Sequence, residues 1–418
     1  MTTKMREIER RKHRGARSSD FARIKPLACS LAALLVIAGS GILSAAELLR
    51  VVPADAGLNA DKLGEIDGLV ATAIAEKKMP GCVVLIGRPQ GIAWLKAYGD
   101  KRLEPEREPM TIDTVFDLAS LTKPLATATA VMKLVEQEKL SIDDLVSKYL
   151  PDFAVEGKDA ITIRDLLVHR SGLIPDNAIA DYLEGPIKAK DRLLALKPVA
   201  PVGTKFMYSD VNFMILGELV ARVSEVPLNT FAHKQLFTPL EMTETTYLPG
   251  EQLRIRSAPT EKRNGEWIQG EVHDPRAYKL GGVAGHAGLF GTAMDLAKYA
   301  SDSLAGIEND KSTILKQETW RAMSTPVTIV GTDNKGQRTE DIRGLGWDMQ
   351  SRYSSNRGTK LSAKAFGHGG FTGTALWIDP GTRLYVVFLS NRVHPNGKGL
   401  VNPLAGRIAE ISVEARLD

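Results

Sequence analysis

The chain has 418 residues, 43% of them hydrophobic and 25% charged. That is ample for a packed core in one large domain or two closely joined ones, and it argues against disorder. The formal charge of +4 is unevenly placed: residues 1–25 hold nine Lys and Arg against three Asp and Glu, so the remainder sums to −2 and offers no basic face to nucleic acid.

Residues 1–46 read as an export signal. A basic stretch precedes an apolar run from Leu27 to Leu43, and small residues follow at Ser44, Ala45 and Ala46. Cleavage after Ala46 would release residues 47–418 to the periplasm or the medium. The alternative is an uncleaved anchor through residues 27–43, which are short for a spanning helix. Membrane contact is expected only in that case. Beyond the leader, Cys82 is the one cysteine, so no intrachain disulfide can form there. The histidines are scattered, with no His-Glu-x-x-His and no zinc spacing, which disfavours a metallohydrolase. Nothing points to a metal or an organic cofactor.

Leu58 to Lys77 has helical periodicity, with Asn59 or Asp61 as its cap. Gly81–Gly87 and Gly91–Tyr98 read as strands joined at Pro89-Gln90-Gly91. Helices follow over 120–139, 161–169, 210–224 and 292–304. Thr374–Asp379 and Leu384–Ser390 form a hairpin around Pro380-Gly381, and a last helix covers 401–416. Strands at both ends of a mostly helical middle predict an α/β (α+β) fold: one antiparallel sheet built from both chain ends with flanking helices, and an inserted helical subdomain. The sheet part is expected over about 55–118 and 340–418, the helical part over 119–339, with the site in the cleft between them.

Three segments carry chemistry. Ser120 and Lys123 are three apart at the start of a helix, which sets them on one face. A serine hydroxyl needs a base, and a lysine of lowered pKa can be one. Tyr208-Ser209-Asp210 opens the next long helix and puts a phenol at its mouth. Phe366 to Thr374 contains Gly367-His368-Gly369-Gly370-Phe371, where glycines let backbone N–H groups approach a ligand and His368 supplies a polar or cationic group. Each segment alone has a plain reading: a helix cap, an N-cap beside a packed aromatic, a glycine-rich turn. No G-x-S-x-G elbow accompanies His273-Asp274, so a Ser-His-Asp hydrolase is disfavoured. His169 and His286 read as structural.

In order and separation the three segments resemble the penicillin-recognising serine hydrolases, in the branch of class C β-lactamases, D-alanyl-D-alanine carboxypeptidases and related esterases. Leu166–Leu173, Gly285–Thr292 and Gly344–Trp347 look like that branch too, and the likeness covers about 55–415. The resemblance implies Ser120 as nucleophile, Lys123 as its activating partner and Tyr208 as proton shuttle to the leaving group. It implies substrate binding by Asp210, His368, Gly369, Gly370 and Phe371, with an oxyanion hole from the N–H groups of Ser120 and Phe371. Two positions depart from the family pattern. Asp210 stands where Asn is usual; a carboxylate only accepts hydrogen bonds, and by pairing with Lys123 it would keep that lysine charged. His368 stands where Lys is usual, which makes carboxylate recognition weaker and pH-dependent. The expected function is therefore an esterase or D-alanyl carboxypeptidase acting on small molecules or peptidoglycan fragments. The alternatives are a β-lactamase or a penicillin-binding sensor with little turnover.

Overall fold

The computed structural model describes residues 48–155, 157–332 and 335–418; the expected export segment lies outside them. Nine strands make one antiparallel sheet: β1 (Gly81–Arg88), β2 (Gly91–Arg102), β3 (Glu108–Pro109), β4 (Val327–Thr332), β5 (Arg338–Arg343), β6 (Asp348–Gln350), β7 (Phe366–Gly370), β8 (Thr374–Asp379) and β9 (Leu384–Ser390). Their spatial order is β3-β2-β1-β9-β8-β7-β6-β5-β4. The two chain ends meet at the centre, where β1 pairs with β9 from Cys82 opposite Ser390 to Gly87 opposite Tyr385. This is the mixed fold with a sheet built from both ends that the sequence led us to expect.

β1, β8 and β9 are buried along their whole lengths. The reason is that both faces of the sheet are covered. Val83, Leu85, Leu376 and Val387 face the helical body, and Val84, Ile86, Trp377 and Phe388 face the other side. On that other side lie α1 (Ala60–Ala75) and the last helix, α5 (Asn402–Glu414), packed against each other. The usual polar alternation of an antiparallel strand is therefore missing from the central sequence. Asn59 is the N-cap of α1, its side chain accepting from Lys62 N–H at 2.8 Å.

Two expectations need correction. The helix expected over 120–139 is divided: a tight turn at Ala119–Leu121, wide turns over Lys123–Ala128, then α2 (Thr129–Glu136). Pro124 has no N–H to give to an α-helical ladder, and wide turns of this kind recur at functional sites. The C-terminal part of the sheet begins at Val327 rather than near 340, with β4 as a half-exposed edge strand. The helix expected over 210–224 is α3 (Asp210–Ser224), capped by Ser209, whose hydroxyl accepts from Asn212 N–H at 3.2 Å. Thr292 caps α4 (Ala293–Asn309), which packs on β1 and β9.

Candidate active site

Ser120 lines a cleft of about 570 Å³ between the end of β7 and the helical body. The chain reaches it by a short strand, Phe116–Asp117, paired with Leu289–Gly291. Ala119 then takes a left-handed conformation with φ of 46°, a conformation costly for a residue with a Cβ and found where the surroundings over-determine the backbone. Here Asp117 supplies that constraint: buried, it accepts from Ala119 N–H at 2.8 Å and from His273 N–H at 2.7 Å. The turn after β7 is tied to the same segment. Thr372 donates its hydroxyl to Asp117 O at 2.7 Å and Thr374 to Leu118 O at 3.1 Å. Gly370 sits so close that a Cβ there would lie 2.1 Å from Thr374 Oγ1 and 2.6 Å from Leu118 O. Close backbone approach, not a special φ, is why this position is glycine.

Lys123 is 0% exposed. Its ammonium donates to Ser120 Oγ at 2.9 Å and to His286 O at 3.1 Å, and lies 2.6 Å from Asp210 Oδ1. The last contact is a close ion pair rather than a well-angled hydrogen bond. Burial opposes a charge on Lys123, but Asp210 and Tyr208 outweigh it and hold the ammonium above the ordinary lysine range. Tyr208 lies under the same group, its ring centroid 5.0 Å from Nζ. Burial, helped by Asp210, keeps its phenol protonated against the opposing pull of Lys123 and Ser120. His169 positions this ring: it accepts from Ser209 N–H at Nδ1 (3.1 Å) and packs on Tyr208 with centroids 4.7 Å apart.

His368 lines the cleft too, with its ring centroid 5.9 Å from that of Tyr208. Its charge differs from expectation. Burial first, then Arg343 and Lys123, push its pKa well below the usual value, so it is neutral. Its Nδ1 donates to its own Gly369 O at 2.7 Å. A titrating cation at 368 is therefore withdrawn. Gly369, Gly370 and Phe371 complete that edge of the cleft, and Phe371 is 59% exposed between His273 and the Arg392 guanidinium.

Sequence reasoning missed several cleft residues. Adjacency suggested a His273–Asp274 relay, but His273 Nε2 meets Glu261 at 2.6 Å and Asp274 meets His286 Nε2 at 3.0 Å. Asp274 Oδ1 also accepts from Arg276 and Ala277 N–H at the start of a short helix. Burial alone would raise its carboxyl, but His286 and the Ala277 N–H overcome that and hold it far below the usual range. Asp210, Asp274 and His286 bring donor atoms within 4.8 Å of one another. They are the one group of that kind among the described residues, and Lys123 already occupies the Asp210 side. Arg343 and Asp348 lie in the cleft as well, without a motif to mark them.

Residues 66–410 match the family model described as Beta-lactamase. Among curated proteins, the chain is 31% identical over 405 residues to an Escherichia coli O157:H7 protein named "Putative D-alanyl-D-alanine carboxypeptidase", covering 86% of this chain and 90% of that one. It is 33% identical over 368 residues to a Bacillus subtilis N-acetylmuramyl-L-alanine amidase, covering 80% and 81%. Among solved structures, a penicillin-binding protein homologue from Caulobacter crescentus superposes with a TM-score of 0.68 at 20% identity, covering 86% and 99%. That likeness concerns the fold.

Proposed function

Since the chain belongs to the beta-lactamase family, we propose that it is a serine hydrolase that forms an acyl-enzyme at Ser120 on amide or ester bonds of cell-wall peptide fragments, as a carboxypeptidase, amidase or esterase rather than a β-lactamase. The observation that carries this reading is the Lys123 ammonium set between Ser120 Oγ at 2.9 Å and Asp210 at 2.6 Å.

A lysine held protonated cannot itself take the serine proton. Lys123 therefore acts as a conduit: it passes one proton to the Asp210 carboxylate and takes the Ser120 proton as Oγ attacks the substrate carbonyl. Tyr208, a neutral phenol, gives its proton to the leaving group and regains one from Lys123. The developing oxyanion accepts from the N–H groups of Ser120 and Phe371. Water then takes the leaving group's place, and the same relay runs in reverse to release the acid. Asp210 disfavours β-lactams, because an ionised carboxylate cannot donate to an acyl carbonyl as an amide does. The relatives' names point to peptidoglycan chemistry, and export through residues 1–46 would carry the enzyme to that substrate.

The test is intact-mass spectrometry after quenched exposure to a penicillin and to a p-nitrophenyl ester. Acyl mass is expected on the wild type and not on Ser120→Ala. The kcat/KM values should then rank a D-Ala-D-Ala peptide, a muramoyl-L-alanine amide and the ester above nitrocefin. Absence of any adduct together with absence of turnover on all four compounds would overturn the proposal.

A further inference from the structure

A second cavity of about 570 Å³ lies apart from Ser120, and none of its lining residues lines the Ser120 cleft. Its walls are chiefly apolar, made by Leu248, Pro249, Val272, Tyr278 and Phe290. Val272 and Phe290 belong to a small buried cluster separate from the two that cover the faces of the sheet. Two charged side chains line the cavity. Glu271 is paired with Arg263, which also donates to Val272 O at 2.9 Å and covers one face of the Tyr278 ring, 3.8 Å from its centroid. Arg254 is exposed and has no hydrogen bond and no ion pair among the described residues. Leu248 is 57% exposed and has a φ of 51°. A left-handed backbone costs about 1–2 kcal/mol at a residue with a Cβ, and a side chain this open to solvent recovers little of it by burial. Such strain is characteristic of ligand sites. The leucine is laid over Gly282, where a Cβ would lie 2.4 Å from Leu248 Cδ2.

A cavity of this size, with an apolar lining and one uncompensated cation, fits a ligand of the complementary build. We propose that it binds a small amphipathic acid. The apolar body, aromatic or short aliphatic, lies between Leu248, Tyr278 and Phe290, and the carboxylate meets Arg254, whose guanidinium offers a planar fork of donors. Phe290 stands opposite Asp117 in the short strand pair that leads to Ser120, and Val272 precedes His273, whose N–H donates to the Asp117 carboxylate at 2.7 Å. The ligand therefore rests on residues that fix the turn before Ser120, without entering the cleft. The site stands independently of the acyl-serine reading.

The test is isothermal calorimetry with naphthalene-2-acetate and with octanoate, each beside its neutral amide. At least one acid should bind the wild type with a Kd of about 100 μM or tighter, and its amide about 5- to 10-fold more weakly. Arg254→Gln should bring acid and amide to within about twofold of each other. Leu248→Gly should weaken acid and amide alike by about 3- to 10-fold. Its thermal midpoint should hold or rise, because glycine takes the left-handed φ freely. Weaker binding without lost stability is not expected of a leucine that serves the fold. If Leu248→Gly does not fold, the acid-to-amide ratio in the wild type and in Arg254→Gln decides. Absence of binding by both acids would overturn the inference. So would affinities unchanged in both variants, or inhibition of p-nitrophenyl ester turnover that is purely competitive, which would place the acid in the Ser120 cleft.

Discussion

Asp210→Asn is nearly isosteric and leaves Lys123 buried without its counter-ion. At 2.6 Å and an effective dielectric of about 20, the attraction removed is about 6 kcal/mol. Burial already opposes the charge on Lys123 and is outweighed chiefly through Asp210, so without the carboxylate the lysine falls below its ordinary range. The stability consequence has a definite sign. In the wild type the folded-state value is raised, so the contribution of Lys123 is fully present below the unfolded lysine value of about 10.4 and is flat across neutral pH. In Asp210→Asn the folded value is depressed. Between it and about 10.4 the unfolded chain binds a proton that the native state lacks, and stability rises with pH by up to about 1.4 kcal/mol per unit. Urea midpoints from about pH 6 to about pH 9 should thus climb for the variant relative to the wild type, with an unchanged m value. The variant's kcat/KM should rise through the same window, as a neutral Lys123 becomes the base. Parallel stability curves would mean that Lys123 stays charged without Asp210, and the relay described above would fall.

Tyr208→Phe should lower kcat by about 10²- to 10³-fold for amine leaving groups and far less for p-nitrophenolate, which needs no proton; equal losses on both would remove Tyr208 from leaving-group protonation. Asp274→Asn keeps a cap at the helix start but removes the charge that His286 and the Ala277 N–H favour, and should cost about 1–3 kcal/mol at neutral pH. Because the Asp274 carboxyl is held low, its contribution is present at neutral pH and disappears on acidification below the usual carboxylate range. The gap between wild type and variant should therefore close in acid, as read by denaturant midpoints at a series of pH values. Gly370→Ala introduces a Cβ that meets Leu118 O at 2.6 Å, so β7 must shift away from Ser120. Such a displacement should cut kcat by about 10²-fold with the fold retained by circular dichroism, and an unchanged kcat would separate β7 placement from catalysis.

Sequence signals were clearest where one residue type fixes a local structure. The hairpin over 374–390 is marked by Pro380-Gly381 between two apolar runs, and α3 by Ser209 ahead of a periodic stretch; both have the expected bounds. Ser120, Lys123, Tyr208 and Asp210 meet because a wide-turned segment and the capped start of α3 face each other across the Tyr208 ring. Spacing fixed their residue types but not the charge on Lys123, which depends on burial and on a partner 87 positions away. Arg343 could not be singled out, since an arginine closing the polar-looking run Arg338–Arg343 reads as surface. Its burial comes from neighbouring strands and from Phe206. The His286–Asp274 pair was hidden for a similar reason: both histidines have a nearby acid, and only the turn that follows the short Asp274-capped helix decides which one Asp274 meets.

The join between β1 and β9 also sets the order in which this enzyme is made. Residue 82 is paired with residue 390, so the central ladder closes a loop that spans most of the chain, and contacts of such high sequence separation form late and slowly. Until β9 arrives, β1 has an open edge, and β8, with the β7 turn it supports beside Ser120, has no neighbour on that side. In the mechanism proposed above, the segment that carries Ser120 and Lys123 therefore depends on strands much further along the chain for the wall of its cleft, so a substitution that weakens the pairing of β1 with β9 should loosen the site as well as the sheet.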